Sequence, residues 1–81
     1  MDEIVCVGLR HLDFVNYEGE RVYGTSVFYT QQDEDIEGVA AGKLWVRGDK
    51  WFDLKVQPKV GGKYMVFYNK KGKVQCFSEV K

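Results

Sequence analysis

The stretch Val60-Gly61-Gly62-Lys63-Tyr64-Met65-Val66-Phe67-Tyr68-Asn69-Lys70-Lys71-Gly72-Lys73-Val74-Gln75-Cys76-Phe77-Ser78-Glu79-Val80 reads as a β-hairpin. Tyr64, Val66 and Tyr68 alternate with Lys63, Met65 and Phe67, the period of two that a strand imposes on its side chains. Val74, Cys76 and Val80 alternate in the same way with Gln75, Phe77 and Glu79. Between the two runs, Asn69-Lys70-Lys71-Gly72 is a short polar turn, with Gly72 able to take positive φ. This alternation turns Tyr64, Val66, Val74 and Cys76 inward and leaves Met65, Phe67 and Phe77 on the outer face, beside lysines.

Upstream of the hairpin the chain is also strand-like. Val5, Val7 and Leu9 share one face of a first strand, but the next apolar residues, Leu12 and Phe14, fall on the opposite parity. One extra residue between Gly8 and His11, a β-bulge, restores the inward set and bends the strand. His11 at this bulge reads as a half-exposed strand residue in preference to a ligand or an acid/base group. Residues 16–20 form a turn around Gly19. A second strand, 21–31, sets Tyr23, Thr25, Val27 and Tyr29 against Val22, Ser26 and Phe28; the first set is the expected core face, so Phe28 points outward. A third strand, 43–47, turns Leu44 and Val46 one way and Lys43, Trp45 and Arg47 the other. Residues 51–57 read as irregular or briefly extended, with a helix held open and closed quickly by Pro58.

Five strands, a bulged first one, a variable connection between the third and fourth and a closing hairpin describe an all-β, OB-like barrel spanning residues 1–81 as one domain. A small SH3-like barrel is the alternative. The chain is long enough for one thin core. Its 9 glycines, 5 tyrosines, 5 phenylalanines and single proline suit tight turns and short strands.

Composition excludes several functions. Twelve basic and 12 acidic residues leave no net charge, so a cationic binding face must come from local segregation. Such segregation is visible: four of the five residues 33–37 are acidic, while residues 59–73 hold five lysines and no acid. With one histidine, no Ser/His/Asp spacing and no glycine-rich phosphate loop, an enzyme is not expected. Gly61-Gly62-Lys63 lacks phosphate-loop spacing and opens a strand. The acids of 33–37 do not match a calcium loop. Cys6 and Cys76 make no Cys-x-x-Cys pair, so no zinc or other cofactor is implied. Two buried reduced thiols, no basic leader and no long apolar run together suggest a cytoplasmic protein without membrane contact.

The outward face remains. Phe28, Trp45, Phe67 and Phe77 lie there, with Lys43, Arg47, Lys63 and Lys73 sharing their parity or flanking them. Bases stack on exposed rings while cations follow phosphates, so this pattern predicts a single-stranded nucleic-acid surface. Arg21, Tyr23 and Tyr17, near the first turn, extend it as a wing. Met65, Phe67 and Phe77 suit equally a two-fold seam between copies, giving a homodimer.

The order of Val7-Gly8-Leu9-Arg10-His11-Leu12-Asp13-Phe14, Gly24-Thr25-Ser26-Val27-Phe28-Tyr29 and the 60–74 stretch resembles small proteins of bacterial mobile elements and phages. The architecture is similar to the short OB-fold single-stranded-DNA-binding proteins of filamentous phages. That resemblance implies a dimer that coats replicating single strands without sequence preference. The chain departs from that family in having no net charge, and the acidic 33–37 loop is instead a candidate contact for another replication protein. The competing class is a protein-interaction module, such as a phage-encoded inhibitor or adaptor, acting through the same acidic loop.

Overall fold

The computed structural model describes the backbone of residues 2–80 and the side chains of residues 3–80. Five antiparallel strands form one sheet in the order β3-β2-β1-β4-β5: β1 (Asp2–Val15), β2 (Arg21–Gln31), β3 (Ala40–Arg47), β4 (Lys63–Tyr68) and β5 (Val74–Glu79). A helix of six residues, α1 (Gly48–Asp53), follows β3. The long β1 serves both halves. Residues 5–15 pair with β2, and residues 2–5 pair with β4. The sheet is open, its edges β3 and β5 approaching within 8 Å between Cα atoms at their nearest residues. Among the described residues no helix is long and apolar enough to cross a membrane.

The expected bulge is present, one residue earlier than the reading placed it. Cys6 pairs with Tyr29 and Gly8 with Phe28, so Val7 is the extra residue and stands 52% exposed. Consequently Ile4 and Cys6, not Val5 and Val7, face the core, with Leu9 joining them beyond the bulge. Leu12 and Phe14 lie on the opposite, outer face, across from Gly24 and Val22.

A second bulge was not expected. Phe67 pairs with Cys76 but Tyr68 pairs with Val74, which leaves Gln75 as an insertion in β5. The extra residue brings both Val74 and Phe77 inward and turns Cys76 out. Phe77, expected at a dimer seam, is therefore a core residue at 4% exposure, its ring edge-on to Tyr64 at 6.3 Å. Burying a phenylalanine side chain stabilises by roughly 1.5–3 kcal/mol, far more than burying a thiol, so the register that buries Phe77 wins.

The segment after β3 corrects a second expectation. Residues 48–53 are helical, with Asp49 in the first turn, where a carboxylate meets the positive helix end. The turn drives Trp51 into the core beside Ile4, Cys6, Val27, Val46, Tyr64 and Val66. Trp51 meets the edge of the His11 ring at 5.6 Å, while His11 Nδ1 is hydrogen-bonded to the Thr25 hydroxyl at 2.8 Å. The histidine is an exposed strand residue with one ring nitrogen satisfied. The chain then returns through buried Pro58, with the Lys59 N–H donating to the Tyr64 hydroxyl at 2.9 Å.

The β1–β2 and β4–β5 turns share one design. Asn16 Oδ1 accepts from the N–H groups of Glu18 and Glu20, and Asn69 Oδ1 accepts from those of Lys71 and Lys73. In each, a glycine at positive φ closes the turn: Gly19 at 83° and Gly72 at 78°.

The two thiols thus differ in setting. Cys6 is fully buried, and desolvation pushes its thiol pKa up, disfavouring the reactive thiolate. Cys76 is exposed on the outer face of β5. A thiol reagent at mildly alkaline pH is expected to label Cys76 alone in the folded protein, and Cys6 only after denaturant is added. Equal labelling rates would contradict the β5 register.

Candidate nucleic-acid interface

The register of β1, β2 and β3 stacks their outward side chains into rows. One row runs Lys43–Phe28–Gly8, the next Trp45–Ser26–Arg10, the next Arg47–Gly24–Leu12. Paired residues in antiparallel strands share a face, so one surface carries Phe28, Trp45, Arg10, Lys43 and Arg47 together. Trp45 is 42% exposed, and its six-membered ring lies over Gly24. A Cβ at position 24 would stand 2.5 Å from its Cζ2 and 2.8 Å from its Cη2. Glycine there lets the indole settle onto the sheet while the residue stays exposed. Phe28 is half-buried, set against Gly8, with the Arg10 guanidinium 6.0 Å from its ring centre.

Beside this face lies a cleft of about 980 Å³ between β3 and the β4–β5 turn. Its walls carry six cations, Arg21, Lys43, Arg47, Lys50, Lys71 and Lys73, against one carboxylate, Asp49. Trp45, Tyr23 and Tyr68 also line it. A chain with no net charge thereby gathers cationic side chains in one concave region, Arg21 among them already paired with Asp13, and such a region favours an anion.

At the mouth, Arg21 is held in place. Its Nε donates to Asp13 Oδ1 at 3.0 Å and its Nη2 to Asp13 Oδ2 at 3.1 Å, a bidentate pair. The guanidinium sits 4.4 Å from the centre of the Tyr23 ring. Hydrogen bonding and charge from Arg21 hold the Asp13 carboxyl below the usual carboxylate range. The pair is exposed, so its role is geometric more than stabilising.

Of the residues expected at the interface, Arg21, Tyr23, Lys43, Trp45, Arg47 and Lys73 converge on the cleft. Phe28 stands on the adjoining face, paired with Lys43. Lys63 does not join them: it borders a smaller hollow with Glu3, Val5 and Thr30, where β1 meets β4. Phe67 is half-buried on the outer face of β4, opposite Cys76, away from the cleft. Met65 is half-buried opposite Ser78, and with Phe77 in the core only Met65 and Phe67 remain of the expected seam. Tyr17 is fully exposed at the β1–β2 turn.

Sequence reasoning missed Lys50, Lys71, Tyr68 and Arg10. Lys71 belonged to the lysine run already noticed, and its place in the turn was a usable signal. Lys50 was hidden because its segment was not read as helical. The acidic run folds on itself, Asp33 Oδ1 accepting the Asp35 N–H at 2.9 Å. Among the described residues no group of three or more His, Cys, Asp or Glu side chains is placed to hold a metal ion.

Comparison of the chain with models of known protein families, with curated proteins and with solved structures finds no match.

Proposed function

We propose that the chain is a binding module for single-stranded nucleic acid, without catalytic activity, that stacks bases on Trp45 and neutralises phosphates along the adjoining cleft. The observation that carries the reading is the cleft itself: six cations and one acid around an exposed indole. Free bases need a planar apolar partner, and a flexible phosphate chain needs a row of cations. Both requirements meet here within one surface.

The finer architecture belongs to the same proposal. The strand order, the position of α1 between β3 and β4 and the approach of the sheet edges support an OB-type barrel. In that architecture the face of the second and third strands, with the loops after the first and fourth, grips oligonucleotides. Here Arg21 follows the first turn and Lys71 and Lys73 belong to the β4–β5 turn, which supports the same use of the cleft. The resemblance to phage strand-coating proteins extends the proposal to the replication of a phage or mobile element, with Met65 and Phe67 as the contact between copies.

A fluorescence titration with oligo(dT) at two salt concentrations tests it. Trp51 is 7% exposed, so quenching on binding reports Trp45. With about four to six of the cations on phosphates, log K is expected to fall with log salt at a slope of roughly −3 to −4, about 0.7 per contact. An unquenched spectrum with no salt-dependent binding would overturn the reading and return attention to the acidic run as a protein contact.

A further inference from the structure

We propose that the cleft holds a second base-stacking position, and that its platform is the Arg21 guanidinium and not the Tyr23 ring. This rests on the nucleic-acid reading above and specifies how the site takes an unpaired base. Three observations carry it. Tyr23 packs against the backbone at Gly48, where a Cβ would run into the ring at Cγ, Cδ2 and Cε2. The Arg21 guanidinium lies over that ring, 4.4 Å from its centre, and covers part of it. Asp13 ties down Nε and Nη2 from the side, at 3.0 and 3.1 Å, which fixes the plane of the group.

The Tyr23 ring thus meets both the Gly48 backbone and the Arg21 guanidinium. A guanidinium is planar and weakly hydrated on its faces, so it stacks on rings as an aromatic group does. Arginine planes serve as stacking partners for unpaired bases. With 62% of the Arg21 side chain exposed, room remains for a base on it. Of its five N–H groups two are taken by Asp13, leaving in-plane donors for a neighbouring phosphate. Asp13 is a positioning residue. An unpinned arginine would swing its charged edge toward the phosphates and leave the base without a platform.

The discriminating experiment compares an oligo(dT) with an abasic deoxyribose-phosphate chain of equal length, which keeps every phosphate and removes every base. Arg21→Lys preserves the charge and loses the plane. It is expected to weaken oligo(dT) binding about five- to tenfold, a base-stacking effect, while abasic-chain binding stays within about twofold. Asp13→Asn is expected to shrink the ratio of the two affinities several-fold, whatever the removed charge does to both. Arg21→Lys lowering both equally, or neither, would overturn the stacking position and leave Arg21 as a phosphate contact. A wild-type protein that binds neither chain would overturn the nucleic-acid reading itself, and this position with it.

Discussion

Phe77→Ala is expected to lower the unfolding free energy by about 3–5 kcal/mol, the usual cost of removing a buried aromatic side chain and leaving a cavity. Domains of this size are commonly stable by about 4–12 kcal/mol, so the variant would stand near the edge of folding. The cost follows from the Gln75 bulge, which puts Phe77 against Tyr64 in a core shared by all five strands and α1. Urea unfolding measures it, with Cys76→Ala as the matched control. That neighbouring side chain is exposed, and its removal is expected to cost less than about 1 kcal/mol. The reverse outcome, a costly Cys76→Ala and a mild Phe77→Ala, would mean that β5 alternates without interruption.

Trp45→Ala carries the largest expected effect on binding. Base stacking on an aromatic side chain contributes about 1–3 kcal/mol, so affinity for oligo(dT) should fall roughly 5- to 150-fold. Because the ring is 42% exposed and lies on the sheet surface, the melting temperature should move by only a few degrees. Anisotropy of a labelled oligonucleotide is the suitable readout, since the fluorescent reporter is lost with the residue. Trp45→Phe, which keeps a ring over Gly24, should recover most of the affinity. Wild-type affinity in Trp45→Ala would remove the indole from the interface.

What could be read in advance divides along physical lines. Lys43, Trp45 and Arg47 alternate with Leu44 and Val46 without a break, so period two alone put them on the outer face, where they stand. Thr25 and Val27 were legible as core for the same reason. The bulges were harder. In β1 both parities are apolar, Ile4 and Cys6 against Val5 and Val7, so a slip was visible but its position was not. In β5 the set Val74, Cys76 and Val80 is interrupted by Ser78, with Phe77 on the other parity, and this one local sign of an inserted residue was passed over. The cleft was beyond any local reading. Lys50 reaches it from a helix and Lys71 from a distant turn, and only sheet curvature brings these together with Arg21.

The twin turns have a consequence for how such a surface can evolve. At 16–20 and 69–73 the backbone is shaped by one asparagine carbonyl and one glycine, while the remaining side chains take no part in these hydrogen bonds. One copy of this frame carries Glu18 and Glu20, and the other carries Lys70, Lys71 and Lys73. Shape and electrical character are therefore inherited separately at these tips. On the proposed nucleic-acid reading, selection can retune the ionic-strength range of binding one codon at a time, without disturbing the scaffold that presents the charges.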